Sequence, residues 1–318
     1  MLNLGFRKKP PIVVDRAAGA FPDDMDLFRW MDGFEDPKQW EAALVGAYED
    51  AKREPELAEL FRLHLLEEDV GASFEFFRQS TVPDAVDALL GRLGVTKQDP
   101  VADVGCGRAH AAYALHKLGY ERVTAMDPNS EWHTGTGYLA SRDDHNIRIV
   151  NDLAAWRGTG GEYGAVVSSG TVHHWQHIPQ VAIDTRRVLR PGGYWLMISE
   201  FFANTSRQLL DLLNNHPTST RYNTYEWAYP ASVYVDLVQT AGLLLVGVIP
   251  LRYKKAAFFA GTALPEDEAG DRWVDANLLK PNGTVETFWN EVDRFRRGST
   301  EPRNFTEAQV LIFRRVEP

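Results

Sequence analysis

From about residue 100 onward, the chain alternates short apolar runs with amphipathic segments of helical period. The apolar runs that we predict to be strands are residues 100–104, 122–126, 147–150, 165–168, 194–199, 243–249 and 309–313. The amphipathic segments that we predict to be helices between them are residues 109–118, 132–141, 180–189 and 230–241. Such alternation is typical of a parallel sheet built from βαβ units. We therefore expect an α/β fold with a doubly wound, seven-stranded and mostly parallel sheet.

The rest of the 318 residues lies before the sheet or between its strands. Residues 1–22 lack periodicity and contain three prolines, whereas residues 37–48 and 55–66 have apolar side chains at helical spacing. A further helix is predicted over residues 81–93. We predict an N-terminal arm and helical lid over residues 1–80 and a single domain over residues 81–318. Within that domain, residues of about 201–229 and 254–305 are predicted insertions.

The charge of the chain disfavours nucleic acid and anionic membrane surfaces as partners. Lys and Arg number 34 against 44 Asp and Glu, which leaves a net charge of −10. Residues 1–98 alone hold 12 basic and 19 acidic residues. A phosphate backbone attracts the opposite balance. The partner that we expect is a small-molecule substrate, and the sequence does not indicate an oligomeric state.

A single cysteine, Cys106, excludes a disulfide framework and a multi-cysteine zinc site, which is typical of a reducing compartment. The basic residues near the start are followed by prolines rather than by a sustained apolar stretch, so we predict no signal peptide. The longest apolar segment, residues 241–251, is about half the roughly 20 residues of a membrane-spanning helix. We expect a cytoplasmic protein.

A glycine loop follows the first predicted strand, in the sequence from Val101 to His110. Gly105 and Gly107 let the backbone turn tightly and approach a ligand, and the next helix begins with its free N–H groups near the same space. This arrangement predicts a nucleotide-like ligand. His110 stands where the nicotinamide fingerprint has its third glycine, so that cofactor is disfavoured.

Three acids accompany the loop. Asp103 lies two residues before Gly105, inside the strand. Asp127 ends the next strand, where a carboxylate can accept hydrogen bonds from both hydroxyls of a ribose. Asp152 follows the third strand, where it could accept a hydrogen bond from an exocyclic adenine amine.

With these motifs in this order, the chain resembles the class I S-adenosylmethionine-dependent methyltransferases, in their small-molecule branch. The resemblance covers residues 81–250 and the last strand, and it implies a Rossmann-like methyltransferase fold with S-adenosyl-L-methionine as cofactor. It implies that the backbone of Gly105 and Gly107 packs on the methionine part of the cofactor, and that Asp103 orients its ammonium group. It further implies a set of outer contacts: Asp127 with the ribose, Asp152 and Leu153 with the adenine, Arg78 with the carboxylate, and Ser168 at the end of the fourth strand.

Two adjacent histidines, His173 and His174, follow the fourth strand, where ligands of open α/β sheets bind. A neutral imidazole there could accept a proton from the methyl acceptor, so we predict that His173 or His174 is the general base. The alternative is that these side chains only pack beneath the cofactor. The sequence contains no convincing acid cluster of the catechol type and no Pro-Cys nucleophile, so we expect a metal-independent enzyme and assign no metal ligand.

Aromatic residues are concentrated in the predicted insertion that follows the fifth strand. Phe201, Tyr222, Tyr225 and Trp227 could line an apolar or aromatic acceptor pocket, or they could be core residues. We predict methyl transfer to an oxygen or nitrogen of a small, possibly aromatic, metabolite. The alternatives are a protein or RNA methyltransferase and a non-catalytic S-adenosylmethionine-binding partner protein.

Overall fold

A computed structural model describes residues 37–216, 218–222, 224, 226–254 and 268–316 of the chain. The predicted arm over residues 1–22 therefore lies outside the described residues, as does part of the second predicted insertion. No helix in the described part of the chain is long and apolar enough to cross a membrane.

Seven strands form one sheet in the order β3-β2-β1-β4-β5-β7-β6. In chain order the strands are β1 (Val101–Val104), β2 (Val123–Met126), β3 (Arg148–Val150), β4 (Tyr163–Ser169), β5 (Leu189–Ile198), β6 (Leu243–Ile249) and β7 (Val310–Arg315). Neighbouring strands are parallel except where β7 pairs with β5 and β6. The predicted doubly wound, mostly parallel sheet is confirmed, with every predicted strand present.

Helices cover both faces of the sheet and precede it. Those before the first strand are α1 (Pro37–Ala51), α2 (Pro55–Leu63), α3 (Val70–Gln79) and α4 (Thr81–Arg92). Those that follow are α5 (His110–Lys117), α6 (Gly137–Ala140), α7 (Leu153–Gly158), α8 (Ile178–Val188), α9 (Ser206–Asn215), α10 (Ser219–Tyr222), α11 (Ala231–Thr240), α12 (Glu268–Asn277) and α13 (Thr284–Arg296). A short 3₁₀ turn spans Val172–His174.

The core has two halves because successive strand side chains point to opposite faces of the sheet. Val101 packs in one half with Phe74 of α3 and Leu90 of α4. Ala102, the next residue along β1, packs in the other half with Trp195 and with Phe288 of α13. Both faces of β1 are therefore covered, as in other parallel sheets, and only its carboxyl end is left to meet a ligand.

The helix predicted over residues 132–141 is wrong for most of its length, since only Gly137–Ala140 is helical. Side chains replace the helical hydrogen bonds there: the Asn129 side chain accepts from the Glu131 N–H, and the Glu131 carboxylate accepts from the two N–H groups that follow Trp132. Such local bonds compete with helix formation. Gly135 also packs so closely that an added Cβ would lie 2.3 Å from the Asn129 carbonyl oxygen.

Helix α13 is tied to the loop before β7 by one buried carboxylate, that of Glu291. It accepts from the N–H groups of Asn304 at 3.0 Å, Phe305 at 3.2 Å and Thr306 at 2.9 Å, and from the Thr306 hydroxyl at 2.7 Å. Burial acts to raise the pKa of Glu291, but these hydrogen bonds outweigh it and hold the pKa below its ordinary value.

We expect Glu291→Gln to lower the free energy of unfolding by about 2 kcal/mol at pH 7, because an amide would turn N–H donors toward N–H donors. Because the folded-state pKa is depressed, the carboxylate contributes stability above its unfolded pKa and loses it as pH falls through the folded value. The difference between the two proteins should therefore shrink below about pH 4. Urea unfolding at several pH values measures it, with Glu286→Gln on the exposed side of α13 as the control. An unchanged difference from pH 7 to pH 3 would contradict this account.

Candidate functional site

The glycine loop after β1 is held in a left-handed conformation by its packing. Gly105 has φ +70°, and an added Cβ would lie 2.3 Å from the Thr171 hydroxyl oxygen. Gly107 has φ +52°, but a Cβ there would meet nothing within 4 Å. Its N–H donates to the Asp127 carboxylate at 2.8 Å. Gly105 therefore lets two protein segments approach each other, whereas Gly107 leaves open space beside the backbone.

Two of the predicted acids lie buried beside the loop. Asp103 accepts from the Ala112 N–H at 3.0 Å, and Asp127 accepts from the N–H groups of Gly107 and Asn129. Burial raises the pKa of Asp103 to about 7 and that of Asp127 to about 6, against the lowering effect of those hydrogen bonds. Burial deprives both carboxylates of the water that stabilises their charge. A cation or a pair of hydroxyl donors beside them would replace that stabilisation.

A cavity of about 220 Å³ opens in front of the loop. One wall is the loop itself with Asp103 and Asp127, and a second is the turn after β4 with Thr171 and His174. A third wall comes from the helices before the sheet and includes Trp40. We call this space the donor cavity.

A second cavity, of about 550 Å³, lies beside the first. Its apolar lining includes Leu60, Leu63, Phe201, Phe202, Leu212 and Leu251. His64 and His216 line both cavities, so the two spaces meet at these imidazoles. We call the larger space the acceptor cavity.

Six of the residues predicted from the sequence line these two spaces. Those on the donor cavity are Asp103, Gly105, Gly107, Asp127 and His174, and the one on the acceptor cavity is Phe201.

Four predicted cofactor contacts lie elsewhere, three of them polar residues. Arg78 is exposed and forms an ion pair of 2.7 Å with Glu75 on α3. Ser168 is fully buried and accepts from the Trp195 indole N–H at 3.1 Å, whereas the next residue, Ser169, lines the donor cavity. Asp152 is exposed and accepts from the Ala154 N–H as the N-cap of α7.

The other predicted residues have mainly packing surroundings. Leu153 packs on the hydrophobic core beside the sheet, and Trp227 packs on a small cluster around α9. The Tyr222 hydroxyl donates to Asp50 of α1 at 2.8 Å. Tyr225 lies outside the described residues.

His173 belongs to a buried cluster below the cavities. Its Nδ1 lies 2.6 Å from Glu200 Oε1, and its Nε2 lies 3.6 Å from Glu226 Oε2. His174 Nδ1 and His216 Nδ1 lie 2.6 and 3.4 Å from the same Glu226 carboxylate. Of the two histidines that the sequence singles out, only His174 reaches the donor cavity.

Sequence reasoning missed His64, His216 and Glu226, which come from three separate segments. No spacing in the sequence connects them with His173 and His174. The concentration of polar and aromatic residues between α9 and α11 is the signal that could have drawn attention to two of them.

Arg108, also missed, fastens the helices before the sheet to the glycine loop. Its guanidinium is 2% exposed and donates to the carbonyl oxygens of Leu65 at 3.0 Å, Glu67 at 2.9 Å and His133. Burial lowers the pKa of Arg108 to about 10. Leu65 has φ +58°, so the backbone between α2 and α3 is bent toward this side chain.

We expect Arg108→Lys to lower the free energy of unfolding by about 2–4 kcal/mol. The planar guanidinium donates to carbonyl groups on several sides at once, and a single ammonium group cannot reach all of them. Chemical unfolding measures the change, and limited proteolysis between α2 and α3 should become faster. The control is Arg78→Lys, whose exposed ion pair is worth at most about 1 kcal/mol. Equal stability of the two variants would show that Arg108 does not hold this layer in place.

The family model described as a methyltransferase domain matches residues 101–193. This segment runs from the first residue of β1 through the glycine loop, Asp127, Asp152 and the two histidines. None of the curated proteins matches the chain in sequence.

Solved structures with a similar fold include several methyltransferases. A putative sarcosine dimethylglycine methyltransferase from Galdieria sulphuraria is 16% identical, with 74% of this chain and 85% of that chain covered and a TM-score of 0.45. The 1,6-didemethyltoxoflavin-N1-methyltransferase from Burkholderia thailandensis is 17% identical, with 90% and 92% covered and a TM-score of 0.45. A putative methyltransferase in complex with the Haloferax volcanii Trm112 activator is 15% identical, with 73% and 89% covered and a TM-score of 0.46. At these scores the similarities carry no argument about substrate or partner.

The family match covers the strand, glycine loop and acids from which the sequence predicts cofactor binding. By this match, residues 101–193 are similar to the methyltransferase domain family.

Proposed function

We propose that the chain transfers the methyl group of S-adenosylmethionine to an oxygen or nitrogen of a small molecule held in the acceptor cavity. The observation that carries the proposal is the meeting of two cavities at His64 and His216. The first carries the glycine loop and the buried acids of the family, and the second is larger and lined mainly by apolar side chains.

The residues of the donor cavity fit this methyl donor. The open space beside Gly107 allows a ligand to approach the backbone closely. Asp103 is suited to the ammonium group, and Asp127 is suited to the ribose hydroxyls. The Asn151 side-chain amide donates to the Asp127 carbonyl oxygen at 2.6 Å, so the start of α7 lies next to Asp127. Asp152, at that start, stays our candidate for the adenine contact.

Arg78, Leu153 and Ser168 have weaker support as cofactor contacts, because none of them lines the donor cavity. Leu153 follows Asp152 at the start of α7 and stays a candidate for the adenine face. The neighbouring Ser169 replaces Ser168 in our assignment, since it lines the cavity.

The donor supplies an activated methyl group, so the protein has mainly to align the acceptor and exclude water. The new bond forms between the acceptor atom and the methyl carbon, the carbon–sulfur bond breaks with its electron pair left on sulfur, and the acceptor loses a proton. Trp40 and Leu44 of α1 line the donor cavity and give that wall an apolar surface. Of the two histidines predicted as the general base, His174 stays our candidate, because it lines the donor cavity and His173 lines neither cavity.

The acceptor cavity favours a small, partly apolar substrate. Its volume of about 550 Å³ lies in the range of small-molecule sites. Phe201 and Phe202 offer ring faces on one side, while Gln208 and Glu307 offer polar atoms. An RNA substrate is disfavoured by the net charge of −10. Methylation of proteins or RNA alone in an activity screen would overturn the small-molecule proposal.

Gly107→Ala should fold but bind S-adenosylhomocysteine at least about tenfold more weakly, because its methyl group would occupy the space that the ligand needs. The matched control is Gly161→Ala in an exposed loop, since Gly161 has φ +51° and a Cβ there also meets nothing within 4 Å. Both variants carry the same backbone strain, so a difference between them reports the ligand. Calorimetric titration measures the affinities, and equal affinities would refute this placement of the cofactor.

Phe201→Ala should lower kcat/KM for the acceptor by about tenfold or more while leaving the affinity for S-adenosylhomocysteine unchanged, because the ring lines only the acceptor cavity. A screen of metabolite mixtures with labelled S-adenosylmethionine first identifies an acceptor. Phe76→Ala, which removes another exposed ring that lines neither cavity, is the control. If Phe201→Ala and Phe76→Ala behave alike, the acceptor binds elsewhere. If the chain binds the cofactor but methylates nothing in the screen, it is a non-catalytic partner protein.

A further inference from the structure

We propose that His173, His174, His216 and Glu226 form a binding site for one divalent transition-metal ion of the zinc class. One ligand atom from each of the four residues lies within 4.8 Å of the others. The site is built by the turn after β4 and by the insertion between β5 and α11, which supplies His216 and Glu226.

The buried atoms of the cluster point to a missing ligand. His173 Nε2, His174 Nδ1 and Glu226 Oε2 are buried and make no hydrogen bond within the described residues. His174 Nδ1 lies only 2.6 Å from Glu226 Oε2, yet the two are not oriented as donor and acceptor. The side chains of His173 and Glu226 are 1% and 0% exposed, so water does not readily satisfy them. Buried polar atoms without partners are costly, and a shared cation would pair all three.

One separation between ligand atoms is close to that around a tetrahedral ion. With zinc–nitrogen and zinc–oxygen bonds of about 2.0–2.1 Å, ligand atoms lie about 3.3 Å apart. Glu226 Oε2 lies 3.6 Å from His173 Nε2, and the four ligand atoms lie within 4.8 Å of one another, so the set would have to contract where it is wider when an ion enters. The 2.6 Å separation at His174 is shorter and would have to open when an ion enters.

The proposed ligand side chains are oriented by hydrogen-bond partners, as ligands in metal sites are. Glu200 Oε1 lies 2.6 Å from His173 Nδ1, which directs the His173 Nε2 lone pair into the cluster. The hydroxyls of Thr218 and Thr224 donate to Glu226 Oε1 at 3.2 and 3.1 Å, which leaves Oε2 for the ion. Ligand carboxylates are held by such hydrogen bonds in metal sites.

The ligand types select the ion. Three imidazoles and one carboxylate suit zinc and its neighbours among transition metals, whereas magnesium and calcium prefer oxygen ligands. The proposal departs from the metal-independent enzyme expected from the sequence. A set made mostly of histidines from separate segments does not form an acid cluster in the sequence.

The position of the cluster suggests a use for the ion. His216 lines both cavities, and His174 lines the donor cavity, so the ion would lie where donor and acceptor meet. If the proposed methyl transfer is correct and the acceptor is a hydroxyl, the ion would bind its oxygen and lower the pKa of the hydroxyl group. Only this role, and not the binding of the ion, rests on the proposed function.

The test begins with the metal content of the full-length chain. The tag-free protein is dialysed without chelator and its zinc is measured by mass spectrometry; we expect about one ion per chain. Zinc added to chelator-treated protein should raise the Tm. Cobalt in place of zinc should give the visible absorption of a four- or five-coordinate ion.

Variants locate the ion. We expect His216→Ala and Glu226→Gln to weaken zinc binding at least tenfold, and Glu200→Gln to weaken it about 10–100-fold through His173. His177→Ala removes an exposed histidine four residues from His173 and should bind zinc like the parent chain. Glu226→Gln can still accept hydrogen bonds from Thr218 and Thr224, so it remains informative if His216→Ala does not fold.

The proposal is overturned if the parent chain keeps no zinc and neither zinc nor cobalt raises its Tm, since the cluster is then only a hydrogen-bonded His–Glu network. It is also overturned if His177→Ala loses as much zinc as His216→Ala. S-adenosylhomocysteine binding is measured in parallel. If the chain binds the cofactor but not zinc, only the proposed metal site is refuted. If it binds zinc but not the cofactor, only the proposed function is refuted.

Discussion

The close approach of the glycine loop to the turn after β4, at Gly105 and Thr171, is the contact on which the positions of His173 and His174 depend. Because Gly105 has no side chain, Thr171 can lie against the loop, and the 3₁₀ turn that follows brings His174 to the donor cavity. The same turn carries His173 down to Glu200 at the end of β5. A single tight packing contact thus positions the groups of two neighbouring strands.

The fold was predictable because its signals are local. Each strand is a short apolar run in the sequence. Asp103, the glycine loop and Asp127 form a motif whose order and spacing predict where the ligand loop lies. The helix predicted at residues 132–141 was wrong because periodicity does not register that Asn129 and Glu131 can capture the N–H groups of a helix.

The site was predictable only where it follows the backbone of one motif. The glycine loop and its two buried acids lie where the pattern puts them. The histidine cluster could not be foreseen, because His64, His216 and Glu226 come from segments whose meeting depends on how the helices before the sheet and the insertion pack together. Arg78 does not line the donor cavity, and its ion pair with Glu75 lies along the exposed side of α3.

The bonds of Arg108 to the backbone between α2 and α3 have a consequence for where the functional unit begins. The family match starts at residue 101, but Trp40, Leu44 and His64 form a wall of the donor cavity. A chain shortened to begin at β1 would retain every strand and both acids, yet it would lose this wall of the cavity. The smallest unit that keeps the whole lining of the donor cavity is therefore larger than the segment that the family model matches.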